Sequence, residues 1–341
     1  MARPVTRNSF RMPAEWEPHE ATWIAWPHEK SDWPGKFAPI PWLYGEIVRH
    51  LARVEKVRIL VGNADAEQGV RRILKKCHAD LRQVEFFRHA TDRSWTRDYA
   101  PIFVKNESGK VGITHWRFNG WAKYDNYHQD CHVPKFVATK LGLPRIEPGL
   151  VLEGGSIEVN GAGKMLTTEE CLLSPIQARN PGVSRSELEQ AFRAHLGVTD
   201  VIWLGTGIKG DDTHGHIDDL ARFTAADTVV TVCEPDRASF NHLALKENLA
   251  RLRARRDLKV VTLPMPDPVC FAGQWLPASY ANFYIANKIV LVPTFADRHD
   301  LEALRTLARL FPNREIIPIP CRDLVLGLGT LHCMTQQQPV S

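Results

Sequence analysis

Short apolar segments of strand character recur along the whole 341-residue chain, with polar turns or helical segments between them. Apolar and β-branched segments that are bounded by turn residues are typical of β-strands. The segments are residues 22–26, 57–61, 102–104, 157–159, 229–232 and 288–292. Their distribution predicts an α/β fold in which many short strands alternate with helices.

Two of these segments open β-hairpins. Residues 102–114 have the pattern of a strand, a polar turn and a second strand. Residues 157–168 repeat that pattern around Asn160-Gly161, a pair that tolerates the positive φ of a tight turn. Both regions are therefore predicted to form antiparallel strand pairs.

A helix is predicted after the second hairpin. Ser186-Glu-Leu-Glu fits a capping box that would begin the helix, and its apolar face carries Leu188, Phe192 and Leu196. Gly197 suits the position just beyond the last turn, where the left-handed conformation is common. The helix is therefore predicted to end at Gly197.

The same order of elements returns near the C-terminus. A second helical apolar face is formed by Leu301, Leu304 and Leu307. This helix is closed at Phe311 and followed by a strand at residues 316–319. The unit of hairpin, helix and strand is clearest at residues 283–319 and recurs roughly every 60–70 residues. We therefore expect a radial, pseudo-symmetric α/β assembly, and without a GxGxxG or Walker sequence we expect no nucleotide binding.

Charge and cysteine content exclude several other classes of protein. The chain has 43 basic and 39 acidic residues, a net charge of +4, and no block of lysine or arginine, so neither nucleic acid nor a membrane surface is expected as a partner. No segment approaches the roughly 18 apolar residues of a membrane span, and the N-terminal residues lack an apolar signal core. Seven scattered cysteines without a CxxC pair argue against a disulfide framework or a zinc ribbon. The reducing cytoplasm is the expected compartment.

Reactive side chains concentrate in five parts of the sequence. These are Trp95-Thr-Arg-Asp, Glu153-Gly-Gly, residues 210–219, residues 327–333 and the tryptophan-rich residues 16–33. Each side chain taken alone has an ordinary structural explanation, such as an ion pair with a neighbouring arginine for Asp98 or a core position for Trp95. Their combination therefore carries more information than any one of them.

The densest of these segments contains a possible metal site. His214, His216 and Asp218 alternate, so in an extended segment they would project from one side. Imidazole and carboxylate together suit zinc or iron. The segment also resembles the core of metallo-β-lactamase-like hydrolases, with Asp219 where their last histidine would be. A metal-dependent hydrolase is therefore an alternative interpretation.

The C-terminal segment contains the best candidate nucleophile, Cys333. Gly327 and Gly329 precede it and permit either close backbone approach or positive φ. Nucleophilic catalysis by cysteine needs a thiolate, a general acid/base and groups that orient both. The histidines and carboxylates of the other segments could supply these groups.

Five motifs, taken in order, resemble the agmatine deiminase and bacterial-type peptidyl-arginine deiminase family. They are Met12-Pro-Ala-Glu-Trp-Glu-Pro-His, Trp95-Thr-Arg-Asp, Glu153-Gly-Gly-Ser, Gly215-His-Ile-Asp and His332-Cys-Met-Thr-Gln-Gln-Gln-Pro. The resemblance extends from about Arg11 to Pro339. It implies a five-bladed pseudo-symmetric α/β propeller of the guanidine-modifying (pentein) superfamily, with residues 1–341 forming one domain.

The resemblance also implies roles for individual residues. Cys333 would be the nucleophile, His216 the general acid/base and Glu153 the group that orients His216. Asp98 and Asp218 would bind the substrate's guanidinium, a planar cation that two carboxylates can hold through charge-assisted hydrogen bonds. The same cation would favour thiolate over thiol at Cys333. No metal or organic cofactor is implied.

The expected substrate is a small guanidino compound, and agmatine is preferred. Its hydrolysis gives N-carbamoylputrescine and ammonia, and its terminal amine would bind Asp212 or Trp95. Peptidyl arginine is the alternative substrate, and a non-catalytic guanidino-binding protein is a further alternative. Leu328 and Thr330 stand where the family often has small or amide residues, and no cation could be assigned to bind a substrate carboxylate. A homodimer is compatible with the resemblance.

Overall fold

The computed structural model describes residues 10–341, which form an α/β protein with nineteen short strands and eight α-helices. The strands are β1 (Phe10–Arg11), β2 (His19–Ala25), β3 (Lys56–Val61), β4 (Val84–Arg88), β5 (Ile102–Asn106), β6 (Val111–Thr114), β7 (Arg145–Ile146), β8 (Glu158–Val159), β9 (Lys164–Thr168), β10 (Asp200–Leu204), β11 (Ala221–Ala225), β12 (Thr228–Cys233), β13 (Lys259–Pro264), β14 (Cys270–Phe271), β15 (Gln274–Trp275), β16 (Tyr284–Ala286), β17 (Ile289–Thr294), β18 (Glu315–Pro320) and β19 (Gln336–Pro339). The helices are α1 (Ile40–Leu51), α2 (Ala64–Lys76), α3 (Thr96–Tyr99), α4 (Val133–Leu141), α5 (Glu169–Leu173), α6 (Arg185–Leu196), α7 (His242–Arg253) and α8 (Asp300–Leu310).

One order of elements recurs in the sheets: an antiparallel strand pair, a helix, and a third strand parallel to the second. It is formed by β5, β6, α4 and β7, by β8, β9, α6 and β10, and by β11, β12, α7 and β13. It recurs in β16, β17, α8 and β18. The two predicted hairpins and the unit predicted at residues 283–319 are therefore confirmed. The sheets of residues 10–341 are open, and none of them closes on itself.

The two ends of the described chain meet in a further sheet of the same kind. Strand β19 pairs antiparallel with β2, and β2 pairs parallel with β3 across helix α1. Trp23 of β2 donates its indole N–H to Gln338 of β19 at 2.9 Å. Because β19 follows Cys333 by only three residues, this pairing fixes the C-terminal segment beside the N-terminal one.

The helix predicted after the second hairpin exists, but it begins earlier than predicted. The capping box is Ser184-Arg-Ser-Glu187 and not the one at Ser186: the Ser184 hydroxyl accepts from the Glu187 N–H, and the Glu187 carboxylate accepts from the Ser184 N–H. Two Ser-x-x-Glu patterns overlap here, and they are equivalent in local sequence. The predicted end is confirmed, since Gly197 has φ 70°.

Helix α8 confirms its predicted end at Phe311 and two of the three leucines of its predicted apolar face, Leu304 and Leu307. Leu307 is buried, whereas Leu301 is 54% exposed. The helix packs through Ala303, Thr306 and Leu307, with Leu304 partly buried against the same core, and of the three leucines only Leu301, in the first turn, faces solvent. No helix within residues 10–341 is long and apolar enough to cross a bilayer.

Candidate active site

The candidate site lies in a cavity of about 820 Å³ whose lining comes from distant parts of the chain. Cys333 and Asp98 contribute to its wall, Trp95 and Trp121 add aromatic surface, and Asp212 adds a carboxylate. Such a mixture of apolar walls and a few convergent polar groups is typical of small-molecule sites.

The site residues occupy equivalent positions in successive units. Each lies in the short turn just before the first strand of an antiparallel pair: Asp98 before β5, Gly155 before β8, Asp218 before β11 and Cys333 before β19. Three of these turns are helical, namely α3 and the 3-10 turns Gly154–Ser156 and Ile217–Asp219. The repeated fold therefore presents one turn per unit to a common centre, which explains why the motifs are so widely spaced.

Cys333 is nearly buried, and its surroundings hold the sulfur in place. The Asn282 side-chain N–H lies 3.1 Å from Sγ, and an Asp218 carboxylate oxygen lies 3.6 Å from it. The Cys333 carbonyl accepts from the Arg97 N–H at 3.1 Å. Burial raises the pKa of the Cys333 thiol well above its ordinary value, and the nearby carboxylates raise it further. A cation entering the cavity would oppose these carboxylates and favour the thiolate.

The two glycines before Cys333 act through close approach and not through positive φ. A Cβ at Gly327 would lie 2.7 Å from atoms of both Trp33 and Trp95, and one at Gly329 would lie 3.0 Å from the Cys333 Cβ. The positive φ of this segment falls on Leu328, at 66°. Side chains at either glycine would therefore displace the aromatic wall or the candidate nucleophile.

Asp98 is held by two donors that leave its carboxylate facing the site. Trp121 donates its indole N–H to Oδ2 at 2.8 Å, and the Gly155 N–H donates to Oδ1 at 3.0 Å. Burial raises the pKa of Asp98 to about 6; His216 lowers it, while Asp218 and Glu153 raise it further. An acid in this environment ionises near neutral pH, and a cationic partner would stabilise its charged form.

His216 lies among three carboxylates. Its Nδ1 is 3.8 Å from Asp98 and 4.0 Å from Asp218, and its Nε2 is 3.8 Å from Glu153. These are ion-pair distances, and within residues 10–341 neither ring nitrogen makes a hydrogen bond. Burial lowers the pKa of His216, but Asp98 and its other neighbours outweigh this and raise it well above its ordinary value. The raised pKa favours the protonated ring, the form in which it can serve as an acid.

Glu153 contacts His216 while a second residue holds it. Arg179 donates to its other carboxylate oxygen at 2.9 Å and is itself fixed by the carbonyls of Gln177 and Thr213. Burial raises the pKa of Glu153, but Arg179 and His216 lower it to about 2. The lowered pKa favours the ionised carboxylate of Glu153 next to the imidazole. Nothing in the sequence around Arg179 pointed to this role.

Asp218 is held by His332, a histidine to which the sequence assigned no role. His332 Nδ1 lies 2.7 Å from Asp218, and its Nε2 lies 2.8 Å from Glu15. Glu15 also binds the guanidinium of Arg222 at 2.9 Å. Burial raises the pKa of Asp218, but His332 lowers it below its ordinary value. Both His332 and Glu15 lie inside motifs that carried the family resemblance. The sequence therefore marked these positions, but it did not indicate what the two side chains do.

The expectation that His214, His216 and Asp218 project from one side is wrong. His214 and Gly215 have φ of 63° and 93°, which breaks the alternation of an extended segment, and the His214 ring lies near Ser174, at 3.3 Å. The described residues instead bring Glu153, Cys171 and His216 within 4.8 Å of one another. Arg179 already neutralises Glu153, which disfavours a metal cation there.

The two residues predicted to meet the substrate's tail both line the cavity. Trp95 packs against Trp33 with ring centroids 5.4 Å apart. Asp212 is already paired: Lys123 binds one of its oxygens, and the Tyr124 hydroxyl donates to the other at 2.6 Å. Lys123 and Arg93 also line the cavity. The structure therefore places two cations at the cavity, although the sequence allowed none to be assigned to a substrate carboxylate.

A buried thiol, an imidazole and two carboxylates surround one small volume, and these are the groups with which a cysteine-containing site could bind a planar cation. Residues 11–339 match the Porphyromonas-type peptidyl-arginine deiminase family. The chain belongs to this family, as its motifs indicated, and this places it among the hydrolases of guanidino C–N bonds.

Named relatives agree with this assignment along nearly the whole chain. The chain is 34% identical to the agmatine deiminase of Pseudomonas aeruginosa (strain LESB58), over 97% of this chain and 96% of that one. The solved agmatine deiminase of Enterococcus faecalis superimposes with a TM-score of 0.91 at 31% identity, covering 97% and 96% of the two chains. A solved putative peptidyl-arginine deiminase gives 0.87 at 34% identity, covering 97% and 99%.

Proposed function

We propose that this protein hydrolyses agmatine to N-carbamoylputrescine and ammonia through a covalent intermediate on Cys333. The observation that carries the proposal is the convergence of Cys333 Sγ, His216, Asp98 and Asp218 around the same small volume. The names of the relatives at 34% and 31% identity support agmatine as the substrate.

The first half of the reaction forms a bond between sulfur and carbon. Asp98 and Asp218 bind the guanidinium N–H groups and orient its central carbon toward Sγ. The cation favours loss of the thiol proton to solvent, and the thiolate attacks that carbon. His216, which is protonated in the free protein, donates its proton to one nitrogen, and ammonia leaves. The product is an S-alkylthiouronium on Cys333, with one C–S bond formed and one C–N bond broken.

The second half consumes one water molecule. His216, now neutral, takes a proton from the water as its oxygen attacks the thiouronium carbon. The C–S bond breaks, the thiolate is restored and the ureido product leaves. The second proton of the water passes to solvent, where it protonates the ammonia released in the first half. Glu153 stabilises the imidazolium at both stages, because Arg179 holds its carboxylate charged beside the ring.

We further propose that the repeated units surround this site as the five blades of an α/β propeller within one domain, residues 1–341. The turns before β5, β8, β11, β16 and β19 support this arrangement because each precedes an antiparallel pair and four of them carry the residues of the site. A homodimer stays a prediction.

Peptidyl arginine or free arginine is the second candidate substrate. Lys123 and Arg93 line the cavity and could bind the carboxylate of free arginine or of a C-terminal arginine, which agmatine lacks. Both cations already have partners, Asp212 and Asp32, which is why agmatine is preferred.

A ureido-product assay with agmatine, arginine and an arginine-containing peptide distinguishes the substrates. We expect the highest kcat/KM with agmatine, loss of turnover in Cys333→Ala and His216→Ala, and near-normal turnover in His214→Ala, whose ring lies away from the site. Activity on none of the three compounds, or near-normal activity in Cys333→Ala, would overturn the proposal. A chelator should leave the rate unchanged.

A further inference from the structure

The unit formed by β16, β17, α8 and β18 also contributes a turn to the candidate site, although no motif marked it. Asn282 lies two residues before β16, in the position that carries site residues in the other units. Its side chain is fully buried. Nothing in the proposed mechanism so far assigns it a task.

The Asn282 amide is fixed in one orientation. Its oxygen accepts from the Thr330 hydroxyl at 2.7 Å and from the His332 N–H at 3.0 Å. Its nitrogen donates to Asp219 Oδ1 at 3.0 Å and to Cys333 Sγ at 3.1 Å. Rotating the amide by 180° would set one of its N–H groups against the backbone N–H of His332, which can only donate. The N–H group that faces the sulfur is therefore determined by the surrounding structure.

We propose that Asn282 is a further catalytic residue, whose fixed amide N–H holds the Cys333 sulfur in line with the guanidinium and stabilises it as a thiolate. This inference rests on the proposed role of Cys333 as the nucleophile. Thr330 acts as a positioning residue, because its hydroxyl orients the Asn282 amide.

The surroundings of the sulfur explain why such a donor is needed. Asp218 lies 3.6 Å from Sγ and accepts a hydrogen bond only while the sulfur keeps its proton. The Asn282 N–H bonds more strongly to a thiolate, since hydrogen bonds to charged groups are roughly twice as strong as neutral ones. Burial and the carboxylates raise the pKa of the Cys333 thiol, whereas Asn282 lowers it. Asn282 thus counteracts the effect on the Cys333 pKa of the carboxylates that bind the guanidinium.

The same residue links the sulfur to the segment before it. The Thr330 hydroxyl and the His332 N–H both donate to the Asn282 side-chain oxygen. These hydrogen bonds join the turn that carries Cys333 to the same amide that contacts the Cys333 sulfur. Thr330 stands where the family often has an amide residue, and in this chain the amide that contacts the sulfur is that of Asn282, 51 residues away in the sequence. Loss of either side chain should therefore affect the ionisation of Cys333 more than the binding of guanidinium.

The test measures alkylation of Cys333 by 2-chloroacetamidine as a function of pH, with the Cys333 peptide quantified by mass spectrometry. Asn282→Ser shortens the side chain so that it no longer reaches the sulfur. Thr330→Val removes the hydroxyl that orients the amide, and Thr330→Ser keeps it. Thermal unfolding of each variant establishes that it is folded.

Asn282→Ser should slow alkylation at pH 7 by about 10- to 100-fold, the effect expected for one hydrogen bond to a charged group, and move the pH profile to the alkaline side. Thr330→Val should show a smaller shift in the same direction, which Thr330→Ser reverses. A folded Asn282→Ser variant with the wild-type profile would overturn the inference. If Asn282→Ser does not fold, a Thr330→Val profile that coincides with that of Thr330→Ser overturns it instead. Turnover by Cys333→Ala is a separate result, which would refute the proposed function itself.

Discussion

Gly155 is the residue at which a small change should do most damage to the candidate site. A Cβ at this position would lie 2.6 Å from His216 Nδ1, 2.8 Å from Asp98 Oδ1 and 3.1 Å from Asp218 Oδ2. Its φ is outside the left-handed region, so alanine there causes no backbone strain. Gly155→Ala therefore tests only whether the space among these three side chains is needed.

The size of the effect follows from these distances. Ordinary contact begins at about 3.4 Å, so the imidazole would have to withdraw by about 0.8 Å and the Asp98 carboxylate by about 0.6 Å. Displacements near 1 Å in a catalytic group cost about 100-fold in rate. Overpacking of a buried site lowers the free energy of unfolding by about 1–3 kcal/mol. We expect kcat/KM for agmatine to fall about 100-fold in a variant that still folds.

The assay is steady-state ureido-product formation, with thermal unfolding measured in parallel. Gly62→Ala is the matched control, because its added Cβ meets no atom within 4 Å and its φ is also outside the left-handed region. It should leave kcat/KM unchanged. If folded Gly155→Ala retained kcat/KM within about threefold of wild type, Asp98 and Asp218 would not bind the guanidinium and His216 would not be the acid/base.

Two further predictions concern pH and the substrate's tail. The kcat/KM for agmatine should rise as pH increases through about 6. Asp98 is protonated below its raised pKa, and only its ionised form binds the guanidinium. The same rise of kcat/KM with pH in Asp98→Asn would contradict this prediction. Lys123→Met should lower KM for agmatine about three- to fivefold by freeing Asp212 for the terminal amine, since partly exposed ion pairs contribute up to about 1 kcal/mol. Butylguanidine, which lacks that amine, should keep its KM, and an equal decrease for both compounds would exclude the tail as the cause.

The sequence predicted those parts of the fold and site that depend on local patterns or on ordered motifs. Hairpins, helix ends and the unit at residues 283–319 follow from local periodicity and are confirmed. The cluster of Cys333, His216, Asp98 and Asp218 follows from the motifs, and the structure brings these residues together.

The sequence did not predict features that depend on long-range contacts or on local backbone geometry. Asn282 and Arg179 reach the site across 51 and 26 residues of sequence, and neither has a local pattern that distinguishes it from a surface polar residue. The HxHxD alternation failed because positive φ at His214 and Gly215 turns the chain. Strand periodicity assumes an extended backbone, and composition alone does not show where that assumption fails.

The central claim is that Cys333 forms a covalent intermediate with the guanidino carbon. The direct measurement is mass spectrometry of the Cys333 peptide after agmatine turnover is quenched with acid, compared with the same peptide from Cys333→Ala and from protein without agmatine. The account predicts an S-alkylthiouronium on Cys333 that appears within one turnover and disappears when agmatine is exhausted. Turnover that proceeds in Cys333→Ala, without a covalent adduct on any residue, would contradict it.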